Sequence, residues 1–204
     1  HSVGIRDGKL EVRVTRDRLD LFCPFTPAGS RNLSVEAVFL DAGSDRRARY
    51  GLFFGGKASG DRLESRYTFL VDGNGQYYVR EISDGEWSNL IGNRRSAAIR
   101  KTKNRLEVVV SGDWVGFYIN GWLVHDMTIR DFTGDRLGFI FTGGIQVDVD
   151  SIVVRSPASG PAPPRPPTRS GARAPARPAR AEHAGQGDGD ARTPEAGVLR
   201  TPSR

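Results

Sequence analysis

The chain has 204 residues, with 30 Lys+Arg against 24 Asp+Glu, a formal charge of +6 and a single cysteine. That length suits one domain with an extension. A lone Cys23 supplies neither an internal disulfide nor a zinc site, and the absence of any run of about 18 apolar residues excludes a helical membrane span in this sequence. Residues 156–204 carry 8 arginines, 4 acids and ten of the 12 prolines, so the basic balance belongs largely to them. The first residue is His1, which reads as a fragment, a processed form or an excised domain.

From the start of the chain to residue 155 the apolar residues alternate. "KLEVRVT" sets Leu10, Val12 and Val14 on one face, and "LDLFCPF" holds Cys23 as a small apolar side chain. "LSVEAVFLD" sets Leu33, Val35, Ala37 and Phe39 on one face, with Val38 and Leu40 on the other. "QYYVREI" divides into Tyr77, Val79 and Glu81 against Tyr78, Arg80 and Ile82. "NRLEVVV" and "DWVGFYIN" align Leu106, Val108 and Val110, then Val115, Phe117 and Ile119; "RLGFIF" and "IQVDVDSIVV" continue the pattern. Period-2 alternation predicts half-buried strands, and no segment carries a helical repeat.

Turn signals separate these runs: "DGNGQ", "SDGE", "SGD", "NG" and "TGG". Asn120-Gly121 predicts a type I′ turn between "WVGFYI" and "WLVHD". The count is about eleven or twelve strands, more than a seven-strand immunoglobulin-type domain has. The prediction is all-β: a two-sheet antiparallel jelly-roll sandwich over residues 1–155. Its expected core holds Leu52, Phe54, Leu106, Val108, Phe117, Ile119, Phe139 and Phe141. Residues 156–204 offer almost no large apolar side chain and are predicted to be a disordered C-terminal tail, with "PAPPRPP" extended as polyproline II.

Three acids, Glu81, Asp84 and Glu86, stand beside Trp87 in "QYYVREISDGEWSNLI". A retaining glycosidase needs two carboxyl groups about 5–5.5 Å apart across the sugar. On a strand Glu81 faces away from Asp84 and Glu86, and Asp84-Gly85 is turn chemistry, so the stretch reads as a hairpin tip. Asp148 and Asp150 alternate in "VDVDSI", but no third ligand accompanies them. Calcium is the one metal such oxygens would suit; no cofactor is expected. His125 reads as a strand-end surface residue, and no Gly-rich loop opens a helix for phosphate.

The order of "LSVEAVFLD", "YGLFF", "RYTFLVDGNGQYYVREISDGEWSNLI", "NRLEVVVSGDWVGFYINGWLV", "GDRLGFIF" and "VDVDSIVV" resembles the concanavalin A-like lectin/glucanase superfamily. Within it, the bacterial laminin G-like domains related to the 3-keto-disaccharide hydrolase domain are the most similar branch. The resemblance implies a jelly roll, an extracytoplasmic or secreted setting and a sugar or protein ligand. It also implies attachment to a larger, sensor-type protein. The glucanases of that superfamily carry their acids as E-x-D-x-E, whereas this chain has E-x-x-D-x-E.

The expected function is a non-catalytic binding module for carbohydrate or a partner protein; the alternative is a glycoside hydrolase of the same superfamily. Exposed aromatics stack on sugar rings, and the candidates are Tyr67, Tyr77, Tyr78, Trp87, Trp114, Tyr118 and Trp122. A second candidate surface is "RRSAAIRKTKNR", where Arg94, Arg95, Arg100, Lys101, Lys103 and Arg105 crowd together and would suit a sulfated or phosphorylated polymer. No nucleic-acid recognition module accompanies the patch, so nucleic acid is not an expected partner.

Overall fold

A computed structural model describes residues 1–15, 18–23, 31–41, 45–59, 62–130 and 134–156. The predicted disordered tail lies outside these residues, apart from Ser156. Among the described residues there are thirteen strands and no helix. They are β1 (Ser2–Arg6), β2 (Lys9–Val14), β3 (Arg18–Phe22), β4 (Asn32–Asp41), β5 (Arg49–Ser59), β6 (Arg62–Asp72) and β7 (Gln76–Ser83). Then follow β8 (Glu86–Arg95), β9 (Lys103–Ser111), β10 (Trp114–Ile119), β11 (Trp122–Thr128), β12 (Arg136–Thr142) and β13 (Ile145–Arg155). The expected count of eleven or twelve was low. β1, "SVGIR", is exposed along its length and carries no burial pattern to betray it.

The strands form two antiparallel sheets. Seven run in the order β1-β2-β13-β4-β9-β10-β11, and six in the order β3-β12-β5-β6-β7-β8. The all-β jelly-roll sandwich is thus the observed architecture. Register stacks the inward residues of the seven-stranded sheet: Val35 pairs with Val108 and Val108 with Phe117, while Ala37 pairs with Leu106 and Leu106 with Ile119. Phe117 meets the other sheet at Phe69 and Phe54, with ring centroids 5.1 and 6.0 Å away. All eight expected core residues are buried, and so is Cys23.

Three hairpins use one device. Asp7-Gly8, Asp84-Gly85 and Asn120-Gly121 each form a two-residue loop with positive φ at both positions, the signature of a type I′ turn. The β7–β8 hairpin therefore turns at Asp84-Gly85, as the sequence predicts. Asp84 and Glu86 are exposed at its tip, while Glu81 is half-buried further down. Register puts Glu81 on the inward face with Tyr67, and Trp87 on the outward face with Ile82. Glu81, Asp84 and Glu86 do not converge.

His125 corrects one expectation. It lies in the middle of β11, opposite Phe117, and is half-buried rather than a strand-end surface group. Burial holds its pKa below the ordinary value, opposed by Asp126 and reinforced by Arg94.

Gly85 has φ of 89°, and a Cβ built there would meet nothing within 4 Å. Gly85→Val is therefore expected to destabilise by about 1–2 kcal/mol through backbone strain alone. Glu86→Gln, at the exposed tip, is expected to change stability by no more than about 0.5 kcal/mol. Chemical denaturation of the two variants checks both.

Candidate functional site

The six-stranded sheet is apolar on both faces over its central strands. Leu52, Phe54, Phe69, Val71, Tyr77 and Val79 face the main core. Phe53, Leu70, Tyr78, Ile82 and Ile140 form a second buried cluster on the opposite, outward face. Register fixes what surrounds that cluster. Asp20 lines up with Ile140, Gly51, Leu70 and Tyr78; Phe22 lines up with Gly138, Phe53, Thr68 and Arg80; Arg18 lines up with Thr142, Arg49 and Asp72; Arg66 lines up with Ile82 and Trp87. Residues directly opposite in a sheet share a face, so all of these belong to the outward one.

The face curls. β3 and β8 are its two edges, five strand spacings apart, about 24 Å on a flat sheet. Yet the Arg18 Cζ lies 5.5 Å from the centre of the Trp87 ring. Two extended side chains cannot span that gap unless the sheet bends over them. Irregular pairing interrupts β5–β6 and β7–β8, and bulges of this kind bend strands. Gly138 leaves room beneath the fold: a Cβ there would come within 2.8 Å of the Phe53 ring.

The curled face encloses a cleft of about 370 Å³ lined by Arg18, Asp20, Phe22, Leu63, Arg66, Ile82 and Gly85. This lies within the size range of small-molecule sites, about 300–1,000 Å³. At its floor Arg66 Nη2 donates to Asp20 Oδ2 at 2.6 Å, with the Arg66 side chain only 2% exposed. Arg18 Nε reaches the same oxygen at 3.3 Å. Asp20 Oδ1 and Arg66 Nε are buried with no hydrogen-bond partner. Burial holds the Asp20 carboxyl above its ordinary value, against the pull of Arg66 and Arg18. Burial likewise lowers the Arg66 pKa, against the pull of Asp20. Desolvation outweighs attraction for both partners, so the pair is weak evidence for stabilisation of the fold.

Beyond the cleft, arginines and aromatic rings alternate. Trp87, 38% exposed, faces Arg18 at 5.5 Å and Arg80 at 5.3 Å. Tyr78 carries Arg80 at 5.2 Å and Arg49 at 4.4 Å, within range of cation–π attraction. The Tyr78 hydroxyl donates to Asp72 Oδ2 at 2.6 Å, and Asp72 Oδ1 accepts from the Asn74 and Gln76 amides at 2.9 and 3.0 Å. Burial, then that hydrogen bond to Asp72, holds the Tyr78 pKa up.

The sequence-predicted aromatics separate into four places. Tyr78 and Trp87 lie on the outward face of the six-stranded sheet, but Tyr78 is buried, its ring covered by arginines rather than open. Tyr67 and Tyr77 pack against the main core. Tyr77 donates its hydroxyl to the Val124 carbonyl at 3.0 Å. Trp114 and Tyr118 are half-buried on the outward face of the seven-stranded sheet, where Trp114 Nε1 donates to Asp126 Oδ2 at 2.8 Å. Trp122, 72% exposed, starts β11 after the Asn120-Gly121 turn.

The basic patch begins at the edge of the six-stranded sheet's outward face, where Arg95 lines up with Gln76, and continues into the β8–β9 connection. Arg94 and Arg95 end β8, Arg100 and Lys101 follow in the connection, and Lys103 begins β9; all five are exposed. The connection is pinned by Asn104, which is fully buried. Its side chain accepts from the Arg100 amide and donates to the Arg100 carbonyl, each at 2.8 Å, and donates to the Tyr50 hydroxyl at 2.9 Å. Burial pushes the Tyr50 pKa up to about 12. Asp148 is half-buried and Asp150 exposed beside a bulge in β13. Among the described residues no three acids, histidines or cysteines converge to hold a metal, and no helix is long and apolar enough to cross a membrane.

No protein-family model and no curated protein matches the chain. Solved structures do match in fold. One is the carbohydrate-binding module CBM66 from Bacillus subtilis, at TM-score 0.63 and 14% identity, covering 76% of this chain and 91% of that one. Another is a GH16 protein from the mixed-linkage glucan PUL of Bacteroides ovatus, in complex with a G4G4G3G product. It has TM-score 0.56 and 10% identity, covering 75% of this chain and 84% of that one. A third is a Bacillus subtilis protein of unknown function with a galectin-like fold, at TM-score 0.55 and 15% identity, covering 76% of this chain and 86% of that one. The shared feature is the two-sheet antiparallel jelly-roll fold.

The buried pair generates a stability test. Asp20→Ala strands Arg66 and is expected to cost about 3 kcal/mol, whereas Asp20→Leu combined with Arg66→Met is expected to be neutral or stabilising by about 1–4 kcal/mol. Urea melts of the single and double variants measure the difference.

Proposed function

We propose that the chain is a non-catalytic carbohydrate-binding module whose ligand occupies the outward face of the six-stranded sheet. One observation carries this reading. The cleft has one partly exposed ring, Phe22 at 48%, above a floor of buried polar atoms that lack partners, and a second, Trp87 at 38%, stands beside it, 5.5 Å from Arg18 of the lining. Rings stack on the apolar face of a pyranose, and fixed donors and acceptors read its hydroxyls. Asp20 Oδ1 is an acceptor and Arg66 Nε a donor of that kind.

The fold neighbours support the reading by class: CBM66 is named a carbohydrate-binding module, and the GH16 protein holds a glucan product. A setting outside the cytoplasm, attachment to a larger protein and kinship with laminin G-like domains belong to the same proposal. Hydrolysis would need two free carboxyl groups facing each other across the sugar. On this face Asp20 is held by two arginines, and Asp72 by a tyrosine hydroxyl and two amides. Both acids serve as anchors. The exposed basic connection remains a second surface for a polyanion, and Trp122 one for a partner protein.

Trp87→Ala is expected to weaken binding to a glycan panel by about tenfold, at the upper end of what one aromatic contact contributes. Trp122→Ala, on the other sheet, is expected to leave it unchanged. Isothermal titration with neutral and acidic oligosaccharides measures both, and a reducing-sugar assay run in parallel exposes any turnover. Binding that falls with Trp122→Ala and not with Trp87→Ala would move the site.

A further inference from the structure

We propose that the glycan is acidic: Arg80, with Arg49 beside it, receives a carboxylate or sulfate of a sugar whose ring lies against Trp87. The inference rests on the glycan-binding reading above and names its ligand class.

Arg80 sits in the middle of β7 and is half-buried. Its guanidinium lies between two rings, 5.2 Å from Tyr78 and 5.3 Å from Trp87. Its Nε is buried and has no hydrogen-bond partner. The other arginines of the sheet's lower end answer to a carboxylate: Arg66 and Arg18 share Asp20. Arg80 makes no ion pair among the described residues. The groups acting on it are another guanidinium, Arg49, and the neutral Tyr78 phenol. Burial, and then Arg49, lowers its pKa.

Arg49 repeats the pattern. It covers Tyr78 at 4.4 Å, and its Nε too is buried without a partner. Its register neighbour Asp72 is already committed to the Tyr78 hydroxyl and two amides. The outward face therefore sets five arginines, 18, 49, 66, 80 and, opposite Gln76, the exposed Arg95, against Asp20 and Asp72, both engaged. A half-buried cation beside a like charge is stabilised by an anion, and the planar guanidinium fork matches a carboxylate or a sulfate with two parallel hydrogen bonds. Trp87 links this pair to the cleft, since its ring lies near both Arg80 and Arg18. A sugar stacked on Trp87 would place a ring substituent within reach of Arg80.

The test is calorimetry on the full chain with oligogalacturonate, its methyl ester, a sulfated galactan oligosaccharide, a neutral galactan oligosaccharide and a single-stranded oligonucleotide. Oligogalacturonate, the sulfated form or both are expected to bind about ten- to hundredfold more tightly than the uncharged forms, with the preference shrinking as salt rises. Which of the two binds identifies the anion. Arg80→Gln is expected to abolish the preference, and Arg100→Gln with Lys101→Gln to leave it. The acid-against-ester comparison uses the unaltered chain, so it decides the matter even if Arg80→Gln does not fold. Equal binding of charged and uncharged forms, lost in Trp87→Ala, would overturn this inference and leave the glycan reading standing. A preference that survives Arg80→Gln and falls with Arg100→Gln and Lys101→Gln would also overturn it. Binding of the oligonucleotide alone would overturn both.

Discussion

Arg66 is a guanidinium whose side chain is 2% exposed, held 2.6 Å from one oxygen of Asp20. A charge in that position is not tolerated on an ordinary sheet surface, because water would be lost without return. It is tolerated here because β3 curls across β12 and β5 and brings Asp20 to β6. The curl then dictates the rest of the face: Phe22 closes edge-on against Phe53 with centroids 5.6 Å apart, and Arg18 reaches Trp87. A cleft exists because the pair and the curl require each other.

The two faces of the six-stranded sheet have different duties. The inward face is dry, aromatic and closely interlocked, with Phe69 against Phe117 and Phe39 against Phe139. The outward face holds charge that costs stability: Asp20 and Arg66 are each shifted toward neutrality by burial, against the pull of the other. Such a layer persists only when the rest of the fold supports it, and sites built for ligands are where proteins accept that cost. The buried core on the inward side supplies the support.

The fold was largely legible because alternation is a strong signal where one face is wet. β4, β9 and β10 of the seven-stranded sheet alternate visibly, and their inward residues were identifiable one by one. The loops at Asp84-Gly85 and Asn120-Gly121 were legible from those pairs alone, whereas Asp7-Gly8 was missed together with β1. The site was much less legible. β5, β6 and β7 are apolar on both faces, so "GLFF", "TFLV" and "QYYV" hide which side is outward. Trp87 was identifiable as an exposed ring at the start of a return strand. Arg18, Asp20, Arg49, Arg66 and Arg80 were not, since they converge only through register across six strands. The available sign was an arginine set within or beside a long apolar strand, as in "SRYTFLV" and "YYVREI". An exposed charge does not need such surroundings, and a buried one does.

The chain carries two cationic surfaces that differ in physical kind. The connection from Arg94 to Lys103 is hydrated, its charges open to solvent and its backbone fixed by Asn104. Such charges attract polyanions without selecting among them, and salt screens them readily. The arginines of the outward face are covered by rings and partly desolvated, so salt reaches them less and geometry governs what they accept. Among the described residues, net charge therefore gives little guide to recognition. Six exposed bases between Arg94 and Arg105 draw the eye in the sequence, whereas a single half-buried guanidinium with no carboxylate beside it has the stronger claim on a specific anion.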